Sequence, residues 1–95
     1  MMRIDILLKN LCLTKTRGMA RKGCDTGSVK LNGGEVKASK EVHESDLIEI
    51  RYPDKVLVLR VTQLPSGQVS KKDRGDYFET VREMPLHRDS GGWNV

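Results

Sequence analysis

The spacing of the apolar residues changes near Gly27, and this change constrains the fold more than any other feature of the chain. Before Gly27 the apolar positions recur every three or four residues, as on the buried face of an α-helix. The clearest set is Ile4, Leu7, Leu8 and Leu11. After Gly27 apolar and polar residues alternate, as in strands with one buried face. The sequence therefore predicts an α+β protein.

Two packed helices are expected in the first part of the chain, at residues 4–13 and 17–25. Thr16 is a suitable cap for the second helix, because its hydroxyl can accept from a free backbone N–H two or three residues later. Gly27 suits the position just after that helix, where a left-handed backbone is common. The inner face of the second helix, which is expected to pack closely on the first, is Met19, Ala20, Gly23 and Cys24.

A small, mostly antiparallel sheet of about four strands follows, at residues 28–31, 35–37, 47–51 and 56–62. Asn32-Gly33-Gly34 predicts a tight hairpin turn, and residues 37–46 are expected to form a polar loop anchored by Val42. Beyond the sheet, Ser70 with Asp73 three residues later resembles a capping box and predicts a C-terminal helix that Pro85 ends. The expected docking face of this helix is Tyr77, Phe78 and Val81.

The composition argues against several classes of protein. A chain of 95 residues with 37% hydrophobic residues is expected to form one domain with a small core, without a deep catalytic cavity. No apolar run approaches the length of a membrane span. Cys12 and Cys24 lack metal-ligand spacing and are expected to be free thiols, while His43 and His87 are expected to be exposed to solvent. We therefore predict a cytoplasmic protein with no catalytic residues, metal or cofactor.

Positive charge is concentrated at the start of the chain. Residues 1–30 hold seven Lys or Arg against two acids, a net charge of +5, whereas residues 31–95 hold ten against eleven, a net charge of −1. Arg17 and Arg21 are four residues apart and share a helix face, with Lys22 beside them. Because these like charges repel, their clustering favours an external polyanion that neutralises them.

Two short helices with a basic outer face that lead into a Gly-x-Val-x-x-Asn-Gly hairpin resemble the S4 RNA-binding domain. The resemblance covers residues 3 to about 51, and its separate pieces occur in the order and spacing of that family. They are Arg3-Ile4-Asp5, Leu7-Leu8, Lys15-Thr16-Arg17, Ala20-Arg21, Gly27 to Gly33, Val42 and Asp46-Leu47-Ile48. The short chain and its later part are most similar to a stand-alone branch that contains the bacterial fifteen-kilodalton heat-shock protein and small relatives in ribosome quality control.

The resemblance implies an S4-like domain with its sheet at residues 1–64, a helical extension at 65–84 and a flexible tail at 85–95. It also implies a non-catalytic, monomeric protein that binds structured RNA, namely ribosomal RNA of the large subunit, with a stalled peptidyl-tRNA as a second partner. The implied RNA-binding residues are Arg3, Lys9, Lys15, Thr16, Arg17, Arg21, Lys22, Lys30 and Asn32. Arg3 is equally suited to a local ion pair with Asp5. Neutralising Arg17 or Arg21 is expected to weaken RNA binding without much change in melting temperature.

The sequence departs from the family pattern at three positions. Asn10 and Cys12 stand near the end of the first helix, where many members carry an arginine, and Ser45 replaces a usual glycine before Asp46. Aromatic residues are absent from the first 51 positions. We therefore expect recognition of folded RNA by shape and phosphate rather than by base stacking.

Two other functions stay open at the level of sequence. One is a targeting module detached from an RNA-modifying enzyme, such as a pseudouridine synthase or a methyltransferase. The other is a protein-interaction module that uses the exposed sheet and the tail. Salt-dependent retention of the chain on RNA would distinguish an RNA-binding protein from a protein-interaction module.

Overall fold

The apolar stripe of the first helix is completely buried. The computed structural model describes residues 2–86, and in it α1 spans Ile4–Asn10. All four residues of the predicted stripe have 0% of their surface exposed. The helix is three residues shorter than expected, because Cys12 adopts a left-handed backbone with φ +58° that a right-handed helix cannot continue through.

The second helix, α2, spans Arg17–Asp25, and both of its predicted ends are confirmed. The Thr16 hydroxyl accepts a hydrogen bond from the Met19 backbone N–H at 3.1 Å, and Gly27 follows the helix with φ +79°. Ala20 and Cys24 form the buried face. Met19 was expected on that face, but it is 53% exposed, since it lies about 100° around the helix from Ala20.

The strands form one five-stranded antiparallel sheet and one two-stranded pair. The five-stranded sheet contains β2 (Val29–Leu31), β3 (Gly34–Glu35), β5 (Leu47–Arg51), β6 (Lys55–Val61) and β7 (Phe78–Pro85). Its strand order is β3-β2-β5-β6-β7. Asn32 and Gly33 make the predicted hairpin turn with φ +51° and +84°. A sheet of about four strands was expected, but the sheet has five because β7 joins it, and the strand expected at 35–37 is the shorter Gly34–Glu35.

The two-stranded pair joins the start of the chain to the loop predicted at residues 37–46. β1 (Met2–Arg3) pairs antiparallel with β4 (Glu41–Val42), with Met2 opposite Val42. Val42 is fully buried, as expected of the loop anchor. The backbone N–H of Ile4 also donates to the Lys40 carbonyl at 2.8 Å, so the loop is held against the start of α1.

The predicted C-terminal helix is wrong. The Ser70 hydroxyl does accept from the Asp73 N–H at 3.3 Å, but only a single 3-10 turn follows, at Arg74–Asp76. β7 then pairs with β6, with a register shift between Val58 and Leu59. Strand pairing prevails because the outer edge of β6 would otherwise leave a row of backbone groups without partners, whereas Gly75 disfavours a helix.

The core lies between the helices and one face of the sheet. It contains the α1 stripe, Val29, Ile48, Leu59 and Val61. Within residues 2–86 no helix combines the length and the apolar content that crossing a membrane requires. Of the predicted flexible tail at 85–95, Pro85 instead belongs to β7 and the Leu86 N–H donates to the Asp54 carbonyl at 2.9 Å, while residues 87–95 lie outside the described residues.

Candidate nucleic-acid interface

A buried carboxylate organises the basic surface at the start of the chain. Asp5, in the first turn of α1, has 0% of its surface exposed. Its Oδ1 accepts from Arg3 Nε at 3.2 Å and from the Ile6 N–H at 2.8 Å. Its Oδ2 accepts from Arg3 Nη2 at 3.1 Å and from Arg17 Nε at 3.4 Å. Both oxygens are therefore satisfied, and one carboxylate holds two guanidinium groups.

The two arginines remain open to solvent on their other side. The side chain of Arg3 is 42% exposed and that of Arg17 is 51% exposed. Arg17 contacts Asp5 through Nε, which leaves both of its Nη groups for another anion. Arg21 is exposed one helical turn further along the same side of α2. These three residues, Arg3, Arg17 and Arg21, are here called the arginine face.

A shallow depression beside Arg3 adds cations that the sequence did not indicate. Its cavity of about 620 Å³ is lined by Arg3, Lys37, Lys40 and His43, together with Ser39 and Glu41. The pairing of β1 with β4 carries these residues to Arg3. Pairing between two-residue strands leaves no pattern in the sequence, so residue spacing alone does not reveal this extension.

The lysines of the predicted cluster lie elsewhere. Lys22 is about 140° around α2 from Arg17, since each helical residue turns about 100°. A cavity of about 880 Å³ opens on that side of α2, here called the lysine groove. Its cationic lining includes Lys9, Lys15 and Lys22 from the helical part of the chain and Arg51, Lys55 and Lys71 from later segments. α2 therefore divides the predicted cluster into two separate basic surfaces.

Three other predicted RNA-binding residues, two in the hairpin and one at the start of α2, are engaged within the protein. The Asn32 side chain accepts from the Leu47 N–H at 2.9 Å and donates to Asp46 Oδ1 at 3.3 Å, so both ends of the amide are used. Lys30 stands in register between Glu35 and Glu49, whose charges offset its own. The Thr16 hydroxyl is occupied by its capping bond. These three residues are not part of the arginine face.

The end of α1 is covered by a distant segment of the chain. The Asn10 carbonyl accepts from the Val69 N–H at 2.8 Å, and the Cys12 thiol donates to the Val69 carbonyl at 3.1 Å. Arg74 Nη1 donates to the Cys12 carbonyl at 3.0 Å. An arginine from later in the sequence thus reaches the end of the first helix, beside Asn10 and Cys12.

The cysteines and acids form no metal site within residues 2–86. Cys12 is half-buried and Cys24 is buried, and both are free thiols. Burial raises the pKa of Cys24 to about 11, with further contributions from the charges of Asp5 and Asp25. This raised pKa keeps the thiol protonated at neutral pH, which makes Cys24 a poor nucleophile.

Two packed helices that present fixed arginines beside a β-hairpin define the class, an RNA-binding protein of the S4 type, and the S4 domain family model matches residues 2–48. Curated relatives match over most of their own length. The chain is 31% identical to the RQC P-site tRNA stabilizing factor of Halalkalibacterium halodurans, over 92% of this chain and 98% of that protein. It is 32% identical to the Streptococcus pneumoniae factor of the same name, over 93% and 99%.

A Helicobacter pylori factor of the same name, from strain 26695, is 40% identical over 81% of this chain and 93% of its own length. The chain belongs to the family of RQC P-site tRNA stabilizing factors. Among solved structures, the trimeric structure of Vibrio cholerae heat shock protein 15 matches with a TM-score of 0.78. That match covers 83% of this chain and 80% of the other at 24% identity, and it supports the fold.

Proposed function

We propose that this chain is a non-catalytic, cytoplasmic RNA-binding protein that docks as a monomer on structured ribosomal RNA of the large subunit and stabilises peptidyl-tRNA there. The observation that carries the proposal is the buried Asp5, which fixes Arg3 and Arg17 at an exposed surface. Guanidinium groups bind phosphate oxygens with forked geometry. The names of the relatives, P-site tRNA stabilizing factors, support a tRNA partner.

The fixed arginines suit recognition of a phosphate backbone. A guanidinium already held by Asp5 loses less conformational freedom on binding than a free side chain does. Arg21, Lys37 and Lys40 extend the positive surface on either side. No Phe, Tyr or Trp side chain is among the residues that form this surface, so the proposed recognition depends on the spacing of phosphates and the shape of folded RNA.

The alternative of a module detached from an RNA-modifying enzyme has less support. The relatives that match over 98% and 99% of their own length are named as stabilizing factors. The alternative of a protein-interaction module has only the exposed outer strand β7 in its favour, where Val81 and Met84 are 51% and 41% exposed. A protein-interaction module does not account for the arginine face, and the detached module differs from the proposal in its origin rather than in its RNA surface.

Binding to purified large ribosomal subunits tests the proposal. Arg21 is the best single position, because it is exposed and none of the described ion pairs involves it. Arg21→Ala should weaken binding and flatten the slope of log affinity against log salt by about 0.7 to 0.9. Lys72→Ala, an exposed change outside both basic surfaces, is the control. Equal losses from the two variants, or binding that ignores salt, would overturn the proposal.

A further inference from the structure

The lysine groove contains more cations than any segment of the sequence suggests. Seven Lys or Arg side chains line it, and no Asp or Glu does. Lys9, Lys15 and Lys22 come from the strongly basic first third of the chain. The other four, which include Arg74, come from residues 31–95, whose net charge is −1. The fold thus gathers cations of the acidic part of the chain into one concavity.

Most of this charge is not neutralised by the described part of the protein. Lys55 is the one groove cation in a described ion pair, with Glu83 at 3.8 Å. Lys9 donates to the neutral Gln68 at 2.6 Å, and Arg74 to a backbone carbonyl. A concave surface with charge of one sign focuses its field and attracts a polyanion.

The core residues that line the groove offer a partner little apolar surface. Leu13, Val29 and Ile50 line the groove, yet each is at most 5% exposed. Tyr52 is half-buried, and its hydroxyl donates to the Leu13 carbonyl at 2.6 Å. Met19 alone among the large apolar lining residues is more than half exposed. The exposed apolar surface consists of Met19, Pro53 and part of Tyr52, which suits contact with a single base or ribose, while phosphates would meet the surrounding Lys and Arg side chains.

We propose that the lysine groove binds an unpaired strand of RNA, with phosphates on its Lys and Arg side chains and a base or ribose against Met19 and Tyr52. A cavity of about 880 Å³ is in the range of pockets for small ligands, which is too small to admit a double helix. This inference rests on the proposed function and adds a second RNA surface to it. α2 separates the two surfaces, so the protein can hold folded RNA and a single strand at the same time.

The test uses the full chain and a fluorescently labelled oligouridylate. Lys22→Glu and Lys71→Glu reverse charges on two separate segments that line the groove, and each should weaken oligouridylate binding by about fivefold. Lys72→Glu, the same change at the neighbouring exposed lysine outside the groove, should have little effect. Arg21→Ala should weaken binding to large ribosomal subunits while leaving oligouridylate binding nearly unchanged.

The outcomes separate this inference from the proposed function. If Arg21→Ala weakens subunit binding but neither groove variant affects oligouridylate, the groove proposal fails and the proposed function stands. Failure of all of these variants to weaken binding would overturn both. If polyglutamate binds more tightly than oligouridylate and displaces it, the groove is a site for acidic peptides instead.

A crosslinking experiment tests the groove independently of the variants. An RNA strand that carries 4-thiouridine should crosslink to the peptides that contain Met19 or Lys71. Crosslinks confined to Arg3 and Arg17 would contradict the assignment.

Discussion

Asp5 contacts three partners although none of its surface is exposed: the Arg3 guanidinium, the Arg17 Nε and the Ile6 N–H. A buried charge is tolerated only when it is paired and hydrogen-bonded. The sequence predicts that Arg17→Ala leaves the melting temperature nearly unchanged, and this ion pair alters that prediction. Loss of Arg17 would leave the buried Asp5 with one arginine, so Arg17→Ala should lower stability as well as RNA affinity.

Asp5→Asn tests whether Asp5 positions the arginines. The substitution removes a negative charge, and long-range electrostatics alone would therefore strengthen RNA binding. We expect the opposite, weaker binding together with a loss of about 1 to 3 kcal/mol in stability, because the amide cannot hold two guanidinium groups. Asp25→Asn makes the same charge change at an exposed position of α2 and should not weaken binding. Affinity that rises equally in both variants would contradict the positioning role.

Ser45 marks a residue where the chain carries backbone strain. Its φ of +76° lies in the left-handed region, which a glycine adopts without a Cβ penalty. Its N–H donates to the Val61 carbonyl at 2.7 Å, and its carbonyl accepts from Arg60, so the surrounding turn holds this conformation. Ser45→Gly should raise the free energy of unfolding by about 0.5 to 1 kcal/mol in urea titrations. Unchanged or lower stability would show that the turn carries no strain at this position.

At the scale of elements, α2 packs on the sheet through a position without a side chain. A Cβ added at Gly23 would lie 2.8 Å from Val29 Cγ2, closer than unstrained carbon atoms approach. The small inner face of α2 was expected to serve contact with α1, and Gly23 instead serves contact with β2. The same helix holds Gly18, where an added Cβ would lie 3.8 Å from Thr16 Oγ1, an ordinary contact.

The two glycines make a matched pair for thermal or urea unfolding. Gly23→Ala should lower stability by about 1 to 3 kcal/mol, since overpacking outweighs the better helix propensity of alanine. Gly18→Ala should be neutral or should stabilise the protein by up to about 1 kcal/mol. If Gly23→Ala stabilises as Gly18→Ala does, α2 and β2 can separate without cost and the close contact is not required.

At the scale of the whole molecule, α2 is a divider with a basic surface on either side. Asp5 and the β1–β4 pair organise the arginine face, while the β5–β6 turn and residues 68–74 complete the lysine groove. The salt dependence of binding counts how many of these cations engage RNA at once.

On large ribosomal subunits the slope of log affinity against log salt should be about −3 to −4. This value corresponds to both surfaces engaging the subunit at once, with four phosphate contacts at roughly 0.7 to 0.9 each: Arg17 and Arg21 on the arginine face, and Lys15 and Lys22 in the lysine groove. Each single neutralisation should flatten the slope by just under one. A slope near zero would exclude phosphate contacts as the source of affinity. Flattening by the arginine variants alone would show that the subunit contacts only the arginine face.

The sequence by itself determined the elements whose signals are local. The helical stripe of α1, the Thr16 cap, the Gly27 terminus and the Asn32-Gly33 turn depend on residues within a few positions of one another, and the structure contains each of them. The S4 resemblance added the family and the expectation of RNA binding.

Tertiary structure decided what depends on partners distant in the chain. β7 is a strand because the backbone groups at the edge of β6 need hydrogen-bond partners. Most β7 side chains are exposed, so apolar and polar residues do not alternate clearly along this strand. The division of the cations between two surfaces has the same cause, since burial of Asp5 and the path of residues 50–74 emerge only when separate segments pack together.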